Sequence, residues 1–134
     1  MRWIAILAVA ATLAACGGGD DGTSEQPVGG RDPELVAEGK ELFEGTCAAC
    51  HGVDLMGTET GPPFLDPVYA PGHHPDSAFY TAVEFGVQPH HWDFGPMPPQ
   101  PLERDEVTAV IAYVRSEQAK AGIEPPEDHE STHE

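Results

Sequence analysis

The sequence predicts an all-α domain with long loops, and three observations carry that expectation. Two stretches, around residues 35–43 and 107–114, place apolar residues at helical spacing. No segment alternates apolar and polar residues as a half-buried strand would. Finally, 14 prolines and 15 glycines in 134 residues commit much of the chain to loop or tether. The compact region is expected at residues 33–124. Its polypeptide core would be small, and a core that small is marginal unless something else fills it.

The first helix should begin at Asp32 and Pro33. The Asp32 carboxylate can accept from the free backbone N–H groups of the first turn, and proline loses no helical hydrogen bond there. Leu35, Gly39, Leu42 and Phe43 then recur at helical spacing, and the helix should end near Gly45. Gly39 costs about 1 kcal/mol against alanine inside a helix. A close crossing of another helix would account for it; simple tolerance is the other reading. A shorter middle helix is expected from Asp76, as N-cap, to Phe85, stopped by Gly86. The last helix is the clearest. Val107, Val110, Ile111 and Val114 form an apolar stripe, with Ala109 and Tyr113 beside it. Asp105 and Glu106 in its first turn and Lys120 in its last suit the helix dipole, and Gly122 closes it.

Both ends lie outside this domain. Residues 1–15 pair a short basic start with an apolar run from Ile4 to Ala15 that only Thr12 interrupts. The run is too short to span a bilayer and fits a secretory signal. It ends Leu13-Ala14-Ala15-Cys16, which resembles the bacterial lipobox. That resemblance implies cleavage before Cys16 and lipidation of Cys16. The competing reading is an ordinary signal peptide with Cys16 incidental. Residues 16–32 are rich in glycine and acidic residues, without apolar periodicity, and read as a flexible tether with a reach of about 20–24 Å. The polar tail at 125–134 carries His129 and His133, read as solvated.

The formal net charge is −17. That excludes nucleic-acid binding through phosphates, which needs Lys and Arg, and favours a partner with a basic patch. Three cysteines in an exported chain need an explanation. A disulfide between Cys47 and Cys50 would close a very short loop and leave Cys16 over. The motif Cys47-Ala48-Ala49-Cys50-His51 resolves the count, because CxxCH is the pattern of covalent haem c attachment. Two thiols separated by two residues reach the two vinyl groups on one edge of a porphyrin. The following histidine then comes under the iron. A thioredoxin-type CxxC would need a βαβ setting, and a zinc site more cysteine.

From residue 33 to about 123 the chain resembles the class I, monohaem cytochromes c. The resemblance rests on the order of parts: a helix leading into CAACH, a Gly61-Pro62 loop, a methionine loop at Gly95-Pro96-Met97-Pro98-Pro99, and a C-terminal helix with an aromatic residue. It implies a small fold of three to five helices wrapped around one covalently bound haem, the first and last helices crossing near Gly39 and Tyr113. It further implies Cys47 and Cys50 as thioethers, His51 as proximal ligand, and the Pro62 carbonyl as partner to the other ring N–H of His51. Met97 is the implied distal ligand. Met56 lies only five residues after His51 and could hardly reach the opposite face; a histidine is the other alternative. Phe64, Leu65, Phe94 and Leu102 read as core around the haem.

His73-His74 and His90-His91-Trp92 depart from the family's common pattern. The plain reading makes them loop residues, caps or donors to haem propionates, with Trp92 either a further donor or plain packing. The sharper one has the two pairs converge on a second metal. The implied function is one-electron transfer by a lipid-anchored carrier, exported to the periplasm or the outer face of the cytoplasmic membrane. It would serve redox protein partners, with no small-molecule substrate and no enzymatic activity of its own. A haem subunit of an oxidoreductase complex and a haem module that senses small gaseous ligands are the alternatives.

Overall fold

The computed structural model describes residues 32–123. The signal sequence, Cys16, nearly all of the tether and the tail with His129 and His133 lie outside the described residues. Four α-helices form in chain order: α1, Pro33–Thr46; α2, Ala48–His51; α3, Asp76–Phe85; and α4, Arg104–Lys120. A 3₁₀ turn, Pro67–Tyr69, lies between α2 and α3. Among the described residues there is no strand, only an isolated antiparallel bridge between Val87 and Met97. None of these helices is long and apolar enough to cross a membrane.

Local chemistry accounts for the ends of the long helices. Asp32 caps α1, its carboxylate accepting from the N–H of Glu34 at 3.0 Å and of Leu35 at 3.5 Å. At α4, Glu103 and Glu106 form a capping box. At its other end Gly122 N–H donates to the Ala119 carbonyl and Ile123 N–H to that of Gln118, which satisfies two carbonyls of the last turn. The middle helix corrects the expectation for Asp76. Pro75 is the N-cap residue, without a side-chain capping bond, and Asp76 is the first helical residue. Its carboxylate is drawn inward instead, accepting from Arg115 Nε at 2.8 Å.

The core is the crossing of α1 and α4. Phe43 from α1 and Ile111, Val114 and Ala109 from α4 have no exposed surface. The predicted stripe is the buried face, and Val107, Val110 and Tyr113 complete it. At the crossing a Cβ on Gly39 would stand 1.8 Å from the Ala109 carbonyl oxygen, so only glycine lets the backbones meet. Phe43 packs on Tyr113 at 5.5 Å between ring centroids, one turn further along α4.

The stripe on α4 continues into two polar residues. Arg115 and Gln118 are buried, at 8% and 1% exposure. Burial of such groups is costly unless every donor is used. Arg115 Nη1 donates to the carbonyl of Tyr69 and to Gln118 Oε1, and Nη2 donates to the carbonyl of His74. Gln118 Nε2 donates to the carbonyls of Phe64 and Tyr69. Among the described residues no buried side-chain nitrogen or oxygen lacks a partner. One helix thus holds the loop before α3 by its backbone.

Gly39→Ala separates two effects of opposite sign. Helix propensity alone would make it stabilising by about 1 kcal/mol. The contact with Ala109 should reverse that and cost about 1–3 kcal/mol, through forced separation of α1 and α4. Denaturant unfolding of the haem-loaded protein measures the sign directly.

Candidate haem site

The site begins where α1 ends. Cys47 is the C-cap of α1, its N–H donating to the Phe43 carbonyl at 2.8 Å, and it is also the N-cap of the single turn α2. That turn carries Cys50 and His51. Its N–H bonds run back to Cys47, from Cys50 at 3.1 Å and from His51 at 3.0 Å. Both thiols are free. Cys50 is exposed, while burial, and then the nearby Cys50, push the Cys47 thiol up to about 11. A redox dithiol needs the opposite shift on its attacking cysteine.

His51 is 7% exposed, and its Nδ1 lies 2.9 Å from the Pro62 carbonyl. Since a carbonyl only accepts, Nδ1 carries the proton and Nε2 keeps its lone pair. Burial lowers the His51 pKa and the Pro62 bond partly offsets it, so the ring is held neutral, the form that binds a metal. The ring stacks on Phe64 at 4.3 Å between centroids.

Cys47, Cys50, His51 and Pro62 open onto a cavity of about 810 Å³. This is within the range of cofactor pockets, about 300–1,000 Å³. Phe64, Tyr69, Phe79, Val83, Val87, Trp92, Phe94 and Val110 supply much of its wall, and Met97 lines it as well. Met56 is 59% exposed and is not part of this wall. Leu65 and Leu102 pack against the core, as expected.

Met97 sits in a loop fixed by its backbone. Val87 and Met97 exchange both N–H···O bonds at 3.0 Å, and Gln100 N–H donates to the Val83 carbonyl at 2.8 Å. Gly86 lets the loop approach, at φ +75°, and a Cβ there would lie 2.5 Å from the Met97 carbonyl oxygen. Trp92 stacks on Tyr69 at 6.0 Å with 9° between the planes. Burial, and then Asp66, push the Tyr69 phenol up to about 12, so it stays a neutral donor.

The Cytochrome c family profile matches residues 36–118. This chain belongs to the cytochrome c family. It is 38% identical to cytochrome c-551 of Bacillus subtilis (strain 168) over 55 residues, which is 41% of this chain and 48% of that protein. Among solved structures it resembles cytochrome CL of the marine methylotrophic bacterium Methylophaga aminisulfidivorans MPT. The TM-score is 0.54 at 30% identity, covering 65% of this chain and 55% of the other. The chain thus spans about half the length of both relatives.

The cofactor of this family is one covalently bound haem c, and Cys47 to His51 carries its CxxCH motif. The residues present fit that group. Two free thiols two residues apart and a neutral histidine with an open Nε2 face one largely apolar cavity.

The histidine pairs do meet. His73, His74 and His91 bring one nitrogen each to within 4.8 Å of one another. His74, His90 and His91 also line the haem cavity. Desolvation, and then the neighbouring His90, His74 and His73, lower the pKa of His91, against a smaller upward pull from Asp66. Sequence reasoning missed Arg115 and Gln118. Their signal was there, since both fall on the spacing of the buried α4 stripe, where a polar residue needs a partner.

Gly86→Ala should push the Met97 backbone away from α3 and cost about 1–3 kcal/mol, from the positive φ and the clash together. Thermal unfolding of the haem-loaded variant checks this. A melting temperature equal to wild type would mean that the loop is not held there.

Proposed function

We propose that this protein is a one-electron carrier, anchored to the membrane by a lipid on Cys16 and acting in the periplasm or at the outer face of the cytoplasmic membrane. Cys47 and Cys50 would hold the haem through thioethers, with His51 and Met97 as its axial ligands and Trp92 as a propionate contact. The observation that carries the reading is that His51 and Met97 line the same cavity as both cysteines. The haem, when bound, supplies the ferric–ferrous couple. The chain keeps the ligands still while the iron charge changes. The Pro62 carbonyl fixes the tautomer and orientation of His51. The paired backbones of Val87 and Met97, with prolines on both sides of Met97, leave that loop little freedom. Methionine–histidine ligation raises the potential relative to two histidines.

The surface suits redox partners with a basic docking patch. Each basic side chain among the described residues is engaged within the domain. Lys40 pairs with Glu44, Lys120 with Glu117 and Arg115 with Asp76, while Arg104 lies over the Tyr80 ring at 4.2 Å. The excess acid is left to face outward. A carrier docked in this way transfers electrons more slowly as salt rises; a flat salt profile would count against such docking.

The deciding experiment compares visible spectra of the protein in both redox states with those of Met97→Ala. The expected result is sulfur ligation in the wild type and its loss in the variant. An unchanged spectrum would move the sixth position to a histidine, and His74, His90 and His91 line the same cavity. Release of Met97 in the reduced state alone would favour a gas-sensing module over a carrier.

A further inference from the structure

The two His-His pairs lie on separate loops, one before α3 and one after it, 18 residues apart between His73 and His91. Electron transfer at one haem does not use them. Yet they are brought together: the ring centroids of His73 and His91 are 5.2 Å apart, those of His74 and His91 also 5.2 Å, and those of His74 and His90 5.8 Å.

We propose that His73, His74 and His91 form a second metal site, a three-imidazole seat for one borderline divalent transition-metal ion, Cu²⁺ or Zn²⁺, at the rim of the haem cavity. Four features argue for it. Nε2 of His73 and Nε2 of His91 stand 3.4 Å apart. Two nitrogens bound tetrahedrally at about 2.0–2.1 Å stand about 3.3–3.4 Å apart, so this pair already has the spacing of two ligands. His74 is prepared as the third. Its Nδ1 lies 2.6 Å from the Val68 carbonyl, which makes Nδ1 the donor and leaves Nε2 with a free lone pair. The same device holds His51, and histidines that bind metals characteristically donate their other N–H in this way. The backbone under His74 is also fixed, its carbonyl accepting from buried Arg115 and its N–H donating to the Ala70 carbonyl.

The fourth feature is access. His73 and His91 are exposed, so an ion reaches the site from solvent, and their side-chain torsions can close the remaining separations from within 4.8 Å. Three imidazoles without a thiolate suit copper(II) and zinc, and copper(II) binds the tighter of the two. A fourth position stays open to water or to His90, whose Nδ1 lies 3.0 Å from the Gln88 carbonyl and so also leaves Nε2 free.

The test uses the full, haem-loaded protein titrated with Cu²⁺ and, separately, with Zn²⁺. Binding is read by calorimetry and metal analysis, and for copper by electron paramagnetic resonance. The proposal expects one ion per chain beyond the haem iron, with tighter binding of Cu²⁺ and nitrogen hyperfine structure from three imidazoles. His73→Ala and His91→Ala, both at exposed positions, should each weaken binding by about a hundredfold or more, since even loss of an outer partner costs 10–100-fold. The haem spectrum of His73→Ala, at a residue outside the wall of the haem cavity, should stay unchanged. A variant with His129→Ala and His133→Ala together should bind as wild type does. Absence of stoichiometric binding to the haem-loaded protein would overturn the proposal. Binding that survives His73→Ala and His91→Ala but is lost with the tail histidines would overturn it too. Neither result bears on Met97 ligation, which is read separately in the haem spectrum.

Discussion

The backbone contact between Gly39 of α1 and Ala109 of α4 is the constraint on which the rest of the structure depends. It fixes where α1 lies on α4, and therefore where α1 delivers Cys47. From there the chain has one turn in which to present Cys50 and His51, and the Pro62 carbonyl holds the imidazole from outside. The opposite wall is keyed to the same helix. Six residues beyond Ala109, Arg115 grips the carbonyls of Tyr69 and His74 and the carboxylate of Asp76. Both sides of the cavity are thus referenced to α4, which lets a domain with long loops keep a defined opening.

This arrangement bears on how a small chain affords a large cavity. The apolar core is concentrated at one helix crossing, and a cavity of about 810 Å³ lies beside it. A covalent cofactor there would fill that space and could not be lost, so its contacts would substitute for side-chain packing the polypeptide lacks. The buried polar hub then has a clear use. A satisfied network around Arg115 and Gln118 ties down irregular backbone that no helix or sheet holds. Leu55 tells the same story on the proximal side. It is buried at a positive φ of 59°, its carbonyl receiving the N–H groups of Phe64 and Leu65, and so brings the Gly61-Pro62 loop against α2.

Much of this was legible in the sequence because its signals are local. Helical spacing gave α1 and α4, the Asp32-Pro33 cap gave a start, and CAACH and the proline-flanked Met97 marked two stretches that line one cavity. What was not legible depends on pairings between distant residues. Asp76 looks like a cap from its neighbours alone, and only a buried Arg115, 39 residues away, draws it inward. The bridge between Val87 and Met97 joins two loops that carry no strand pattern. The convergence of His73, His74 and His91 likewise follows from how two loops pack around α3, and nothing in either pair's own sequence encodes it.

The central claim is that one haem is covalently seated on Cys47 and Cys50. Trypsin cuts after Lys40 and Arg104 and nowhere between, so a single peptide, 41–104, carries both cysteines. Mass spectrometry of that peptide under denaturing conditions tests the claim most directly. The account predicts the added mass of one haem, with fragmentation placing it on Cys47 and Cys50. A peptide free of haem, with its two thiols unmodified or joined as a disulfide, would contradict it.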